Sequence, residues 1–517
     1  MPIINNKNSY RFILISSFIL LNSLLLYGLS SIIAYMNSGA DRATILHLDK
    51  EPINTYLPKV DWKIDSNEGR TIEPQTLKTI EKHYLFSWFI KNNALHQNIT
   101  SGLAEYFTEN SLDELSKTIN YNKNQKITID NTTLQHNLNL EFYSEDGQQV
   151  VITDKNVVEF QNIYQNKNFI ASVKDTSTYK AVLLLEDGYW RVRHIVKMPK
   201  QPEKKNQKET GIFTIKKQQI YKSNIPFKIK GINYYPKDSP WDMYGIKYDS
   251  TVIDKDFKII QNANLNTIRI FVPYEDFGKA EIKKDRLDKL KQTIKIAKQN
   301  NLFVIVTLFD FYSDYSIDSW TLTHRHAEKI VTACSDLDNI LAWDIKNEPN
   351  LDFENRKKHN VIPWLENMID YIKDIDSKHL VTVGYSNKES ATILEDKVDF
   401  ISFHYYEEPS GFLNSYNELA KKTKKPIIVG EFGLSSNRNL WNWFGNSKKG
   451  QAEYHKEMQG YFKNVGISFV SWTLYDFSTV PDQVSGNRFW AKNKQKNFGF
   501  IDRNGYKKPS FSFISHN

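Results

Sequence analysis

A single cysteine, Cys334, stands in a chain of 517 residues, which excludes an internal disulfide framework and any cysteine-based zinc site. Cys334 itself reads as a small buried apolar residue. Neither sign of charge dominates: 68 basic residues against 60 acidic ones leave a net charge of +8. The lysines scatter among Asn, Gln and Glu instead of forming an Arg-rich stripe, and no zinc-finger or helix-turn-helix pattern accompanies them. That argues against a nucleic-acid partner. No glycine-rich phosphate loop follows the first apolar run of the C-terminal half, which argues against a nucleotide fold. Long charge-free apolar stretches are missing too, with one exception.

The exception is FILISSFILLNSLLLYGLSSIIAYM, residues 12–36. As a helix rising about 1.5 Å per residue it would span roughly 37 Å, enough to cross a hydrocarbon core with some tilt. Lys7 and Arg11 precede it, so the positive-inside rule leaves residues 1–11 in the cytoplasm and puts everything after Asn37 in the periplasm or outside the cell. A cleaved signal peptide is the competing reading. The run exceeds the usual apolar region of about 7 to 15 residues, and the small-residue site at Asn37-Ser38-Gly39-Ala40 is poor. The expectation is an uncleaved, single-pass membrane anchor.

Residues 37–73 are punctuated by proline without a sustained period, as suits a stalk or an extended arm lying on a domain. From Gln75 the pattern turns helical, with Leu77, Ile80, Tyr84, Leu85 and Trp88 at three- and four-residue spacings, and a second short helix is expected within residues 101–119. Alternating runs follow, turning at Asp146-Gly147 and Asp187-Gly188. In the last of them Trp190, Val192, His194 and Val196 are expected on one face, with Tyr189, Arg191, Arg193 and Lys197 on the other. Helices followed by a long antiparallel sheet ending in DGYWRVRHI resemble the nuclear-transport-factor-2-like (NTF2-like) superfamily over residues 74–198. Its members are enzymes, ligand pockets or assembly modules, so the resemblance implies a spacer or a docking module for a protein partner without choosing between them. His136 and His194 could line a pocket there, but the favoured reading is a satisfied core or interface histidine, since no paired carboxylate accompanies either in sequence. Residues 199–211, rich in Pro and Lys, read as a linker separating two cores.

From residue 212 eight short apolar runs alternate with amphipathic helical stretches, which fits a (β/α)8 barrel, the TIM-barrel form of the α/β class. Such barrels place their chemistry at the C-terminal ends of the strands. There stand Arg269 in the second run, Asp310 at the end of the third, Asn347 and Glu348 after the fourth, His404 and Tyr406 after the sixth, Glu431 after the seventh and Trp472 after the eighth. The Asn-Glu-Pro triplet alone says little; Glu431 in PIIVGEFG supplies the second carboxylate that Glu348 needs for chemistry.

Together these residues resemble the clan A glycoside hydrolases, particularly glycoside hydrolase family 5 with its cellulase-like and mannanase-like members, over residues 213–517. The resemblance implies retaining hydrolysis of a β-linked polysaccharide or oligosaccharide, with no cofactor and no metal. It assigns Glu348 as acid/base and Glu431 as nucleophile, with Arg269 and Tyr406 holding Glu431 ionised. Asn347 would donate to the sugar 2-hydroxyl, His404 would bind substrate and Trp472 would give the sugar a stacking floor. Glu348 must keep its proton until the leaving group needs it, which a less polar setting and a nearby negative charge favour. The chain departs from the pattern at the third strand: many relatives carry a His there, and this sequence reads TLFDF with Phe309 and Asp310. Two alternatives stay open, a transglycosylase or trimming enzyme in exopolysaccharide assembly and a non-catalytic glycan-binding scaffold; retention of both glutamates weighs against the scaffold. His324 and His326 suggest a metal pair, but no third ligand stands at metal spacing and the stretch reads as a loop entering a helix. Aromatics in YYPKDSPWDMYG and NRNLWNWFG fall on expected loops around the barrel mouth, as sugar platforms or as loop packing.

Overall fold

The computed structural model describes residues 14–28, 56–64, 68–199, 211–438, 445–485 and 489–516. It divides into two units, Met1–Thr55 and Tyr56–Asn517. In the first, residues 14–28 form a helix. At about 1.5 Å per residue it reaches roughly 22 Å, short of a hydrocarbon core about 30 Å thick. No helix among the described residues is long and apolar enough to cross a membrane. The expected span of residues 12–36 is thus met only in its middle, and the remainder of that stretch lies outside the described residues.

The second unit begins with a seven-stranded sheet: β1 (Lys59–Lys63), β2 (Glu68–Gly69), β3 (Ile127–Thr133), β4 (Gln135–Tyr143), β5 (Gln149–Gln165), β6 (Asn168–Glu186) and β7 (Tyr189–Met198). The order is β1-β4-β5-β6-β7, with β2 on β4 and β3 on β5. Helices Pro74–Gln97 and Glu109–Asn124 bury Ile80, Tyr84, Trp88 and Ile119 against Leu138, Leu140, Ile152 and Leu183 of the sheet. The α+β arrangement follows the sequence pattern. Asp187 and Gly188 both take positive φ, 49° and 82°, as the favoured two-residue hairpin turn requires. Another turn with both residues at positive φ, Asn166-Lys167 at 50° and 67°, joins β5 to β6 without a glycine to mark it.

One expectation fails in β7. Val192 pairs with Leu183 and His194 with Val182, leaving Arg193 as an extra residue in a bulge. The bulge swaps faces: Trp190 and Val192 are buried, but beyond Arg193 it is Ile195 that packs on the core, while Val196 is 56% exposed. Beyond the bulge His194 thus no longer shares the core-facing side of Trp190 and Val192.

The sheet domain and the following barrel fall in one compact unit, Tyr56–Asn517, and each keeps its own apolar cluster. The arm reading suits residues 56–63, where β1 runs parallel to β4 as an added strand; residues 37–55 of that stretch lie outside the described residues. Just before it, the Leu57 N–H donates to Thr321 Oγ1 at 3.0 Å, and Arg325 donates to the carbonyls of Leu57 and Pro58 at 3.1 and 2.7 Å. Phe160 meets Trp320 with ring centroids 4.5 Å apart, and Phe169 stacks on His359 at 4.2 Å. Leu134 and Phe160 belong to the same apolar cluster as the barrel's core. Residues 200–210 of the expected linker lie outside the described residues.

A small antiparallel sheet, β8 (Phe213–Lys216), β9 (Gln219–Lys222) and β10 (Ile225–Phe227), plugs the lower end of the barrel. Its Phe213 and Ile220 pack with Ile305, Leu341, Leu380 and Ile428. The barrel strands are β11 (Lys230–Asn233), β12 (Thr267–Pro273), β13 (Phe303–Asp310), β14 (Ile340–Asn347), β15 (Leu380–Tyr385), β16 (Ile401–Tyr405), β17 (Ile427–Phe432) and β18 (Ser468–Ser471). All pair in parallel, and β11 on β18 closes the circle. Both faces of each strand are covered, which is why the runs read as nearly continuous apolar stretches.

Candidate active site

Every residue singled out at the strand ends meets at one end of this barrel, organised by Arg269. Arg269 points inward from β12 and is 3% exposed. Its five N–H groups are all used. Nη1 donates to Glu431 Oε1 at 2.6 Å and Asn233 Oδ1 at 3.0 Å, Nη2 to Asp344 Oδ2 at 2.6 Å and Asn347 Oδ1 at 2.9 Å, and Nε to Asp344 Oδ2 at 2.9 Å. Burial works against the charge, but Asp344 and Glu431 outweigh it and hold the guanidinium above its ordinary pKa. Because the Asn347 carbonyl is spent on Arg269, its amide N–H₂ is left to face the cleft.

Glu431, on β17, also accepts from the Tyr406 hydroxyl at 2.8 Å. Burial and the neighbouring Glu431 push the Tyr406 phenol far above its usual pKa, so it remains a donor. The residue before Glu431 must be small. A Cβ on Gly430 would stand 2.3 Å from Ser402 Oγ, and one on Gly384 would come within 3.2 Å of both Arg269 Nη2 and His404 Nε2.

Glu348 directly follows β14 in the left-handed region, at φ 48° and ψ 46°. For a residue with a Cβ this conformation costs on the order of 1–3 kcal/mol and is characteristic of functional sites. Two other cleft residues, Trp241 and Phe311, share it at φ 72° and 59°. The Glu348 N–H is anchored on the Gly384 carbonyl at 2.7 Å, and its Oε1 lies 2.8 Å from His404 Nδ1. Burial raises the Glu348 pKa, but the hydrogen bond and charge of His404, with Arg269 and Lys346, outweigh it and hold the carboxyl below its usual range. This reverses the expectation of a carboxyl that keeps its proton in the free protein. Ligand atoms of Glu348, His404 and Glu431 all lie within 4.8 Å of one another. Three such donors could also hold a metal ion, but Arg269 already sets a fixed cation against Glu431.

The cleft above these groups encloses about 610 Å³. Tyr235, Trp241, Phe271, Phe311 and Trp472 form an aromatic wall, with Trp241 and Trp472 rings 5.9 Å apart. Tyr235 and Trp241 thus both pack the loop and line the cleft; most of NRNLWNWFG lies outside the described residues. Asp344, Asn233 and Lys346 were not singled out in the sequence. Asp344 had a signal, a carboxylate inside the apolar run four residues before Glu348.

His324 and His326 sit on the helix Trp320–Cys334, not on a loop, and face backbone carbonyls. His324 Nδ1 is 2.7 Å from the Trp320 oxygen, and the two His326 nitrogens are 2.9 and 3.2 Å from those of Lys279 and Leu308. Burial lowers both pKa values to about 4, so both rings are neutral. His136 is a core residue, and it does have a carboxylate: Asp154 of the adjacent strand, 2.6 Å from Nδ1.

Carboxylates this close at the mouth of a (β/α)8 barrel belong to the chemistry of glycosidic bonds, which puts the protein among the glycoside hydrolases. Comparison with known proteins gives the family it is similar to: residues 222–478 match the family model described as cellulase (glycosyl hydrolase family 5). The chain is 23% identical over 278 residues to a probable mannan endo-1,4-beta-mannosidase A of Aspergillus flavus, covering 41% of this chain and 71% of that protein. It is 29% identical over 209 residues to mannan endo-1,4-beta-mannosidase 1 of Solanum lycopersicum, covering 32% and 47%. Among solved structures it is similar to the exo-beta-1,4-mannosidase Op5Man5 from Opitutaceae bacterium strain TAV5, at TM-score 0.48 and 16% identity over 56% of this chain and 58% of that one.

Proposed function

We propose that the protein is a retaining β-mannoside hydrolase that cleaves a β-linked glycan by double displacement. The observation that carries this reading is the 4.8 Å limit on the separation of the Glu348 and Glu431 ligand atoms. Retaining enzymes keep their two carboxyl groups about 5–5.5 Å apart and inverting ones roughly 6.5–9.5 Å, to fit a water. The sugar class rests on the similarity to the two mannan endo-1,4-beta-mannosidases.

In the first step Glu431, ionised and aimed by Arg269 and Tyr406, attacks the anomeric carbon. The bond to the leaving oxygen breaks as that oxygen takes the proton from Glu348. Glu348 must therefore be protonated in the complex although it is ionised in the free protein. A sugar filling the cleft strips water from Glu348 and leaves it facing the Glu431 charge, and both effects raise its pKa. Once Glu431 is glycosylated its charge is gone. Glu348 falls back to the ionised form and takes a proton from the water that attacks the anomeric carbon and releases Glu431. The free amide of Asn347 suits the 2-hydroxyl, and Trp472 offers an apolar face to the ring.

The apolar run at residues 12–36 supports a single-pass anchor with the barrel outside the cytoplasm, and the sheet domain is proposed as a docking module for a protein partner. The test is hydrolysis by the full-length protein of aryl β-mannosides, β-1,4-mannan and the corresponding glucosides, with the anomeric configuration of the first product followed by NMR. Retention, lost in Glu431→Gln and Glu348→Gln, is expected. An inverted first product, or unchanged turnover in both variants, would overturn the assignment. Products longer than the substrate would favour transglycosylation.

A further inference from the structure

Four charged residues of the cleft wall take no part in bond cleavage as described, Asp310, Lys346, Asp352 and Lys494, and of these Asp310 and Lys346 are both buried on neighbouring barrel strands. Lys346 lies on β14 two residues before Glu348, is 6% exposed and lines the cleft. Its Nζ makes one hydrogen bond, to the Asn347 carbonyl at 3.2 Å. Among the described residues no carboxylate comes within 4.0 Å of it. An ammonium has three N–H donors, so two are left for whatever enters the cleft. Burial pulls the Lys346 pKa down, while Asp352, Asp310 and Glu348 pull it up.

Asp310 is its counterpart. It ends β13, the strand beside β14, is 5% exposed and lines the same cleft. Its hydrogen bond from the Tyr235 hydroxyl is 3.2 Å long. Opposite charges on neighbouring strands, buried and yet outside ion-pair distance, leave a gap that polar groups of a ligand can fill. A sugar hydroxyl both donates and accepts. One hydroxyl can donate to the Asp310 carboxylate while the next accepts from the Lys346 ammonium, each a charge-assisted hydrogen bond in a site sheltered from water.

We propose that Asp310 and Lys346 are specificity-determining residues that together grip neighbouring hydroxyls of a neutral sugar unit held beside Glu348. The sugar is neutral because Glu348, Glu431 and Asp352 line the same cleft, and an anionic unit would meet an excess of like charge. The proposal rests on the glycoside hydrolase reading of the cleft and adds the residues that select the sugar.

The test is a set of cycles between protein and substrate. The full-length protein, Lys346→Met, Lys346→Arg and Asp310→Asn are assayed on the aryl β-glycoside that the native protein cleaves best and on analogues lacking one hydroxyl at a time. Loss of a hydroxyl bonded to a charged group is expected to lower the native kcat/KM about 10- to 100-fold. In Lys346→Met one such loss should shrink to about onefold, in Asp310→Asn the loss at the adjacent hydroxyl should shrink, and Lys346→Arg should restore part of the first. A merely structural role would lower kcat/KM for all substrates alike and leave the hydroxyl losses unchanged, which would overturn the proposal while leaving the hydrolase reading intact. Absence of turnover on every aryl β-glycoside would overturn both.

Discussion

Of the histidine–carboxylate pairs with a buried histidine among the described residues, His136–Asp154 lies sealed in the sheet domain and His404–Glu348 opens onto the cleft. In the sheet domain His136 and Asp154 are 2.6 Å apart and both side chains are fully buried. Asp154 also accepts from the Tyr84 hydroxyl and the Asn137 N–H, each at 3.0 Å. His136 Nε2 meets Thr133 Oγ1 at 2.9 Å, and the Tyr56 hydroxyl closes the ring. In the barrel His404 and Glu348 are 2.8 Å apart, but the Glu348 side chain is 25% exposed and His404 Nε2 has no partner among the described residues. Both are a histidine on a carboxylate at close hydrogen-bonding distance. The difference is spare hydrogen-bonding capacity beside open space. A satisfied, sealed polar network fixes a core; the same pair left incomplete at a strand end can act on a ligand.

Substitutions test this contrast. The largest effect is expected at Glu431. Glu431→Ala should lower kcat on the order of 10⁴- to 10⁶-fold, as loss of a nucleophile does. Added azide should restore turnover and give a glycosyl azide of inverted configuration; a variant within tenfold of native kcat would break the assignment. Glu348→Gln comes next, at roughly 10²- to 10⁴-fold, with the loss of kcat/KM, which reports the first step, confined to poor leaving groups. An equal loss of kcat/KM on a dinitrophenyl glycoside, which needs no proton, would mean that Glu348 positions substrate and does not supply the acid. The sealed pair should behave in the opposite way. His136→Ala leaves Asp154 buried without its partner and should cost about 3–5 kcal/mol of folding free energy, read by urea denaturation, while kcat per folded molecule stays native. A fall in kcat comparable to that of Glu348→Gln would end the distinction between the two pairs.

The barrel was legible because its strands are short apolar runs whose polar residues collect at one end, and the eight runs and the paired glutamates follow from that pattern. The supports of Arg269 were not. Asp344 and Asn233 look like ordinary polar residues until the closed barrel turns them onto one guanidinium. In the sheet domain alternation placed the strands, but the bulge at Arg193 reversed the face beyond it, and the Asn166-Lys167 turn lacks the glycine that marks its two counterparts. The Lys-rich stretch at residues 199–211 has linker composition, yet composition is silent on docking: Phe160 on Trp320 and Arg325 on Leu57 join the sheet domain to the barrel through residues distant from it.

The smallest effect is also the sharpest, because two carboxylates of one cleft should respond to pH in opposite senses. Burial pushes Asp310 from 3.8 up to about 6, against the pull of Lys346 and Arg269. A folded-state pKa above the unfolded one means that the native state holds the proton more tightly. The associated stability is present below pH ~4 and lost as pH rises through about 6. That displacement is worth up to about 3 kcal/mol at 1.4 kcal/mol per tenfold. Asp310→Asn cannot ionise, so it should be more stable than the native protein near pH 7 and indistinguishable from it near pH 4, even as it loses sugar selectivity. Glu348 is held below its usual range, so its stabilisation is present above the unfolded pKa and lost as pH falls through the folded one. Glu348→Gln should therefore be less stable than native at pH 7, with the difference vanishing in acid. Denaturation midpoints of both variants between pH 4 and 8 measure the two trends. Parallel curves would mean that burial does not raise the Asp310 pKa in the folded protein, whereas diverging ones would show a cleft that sacrifices stability at Asp310 for an acceptor aimed at the sugar.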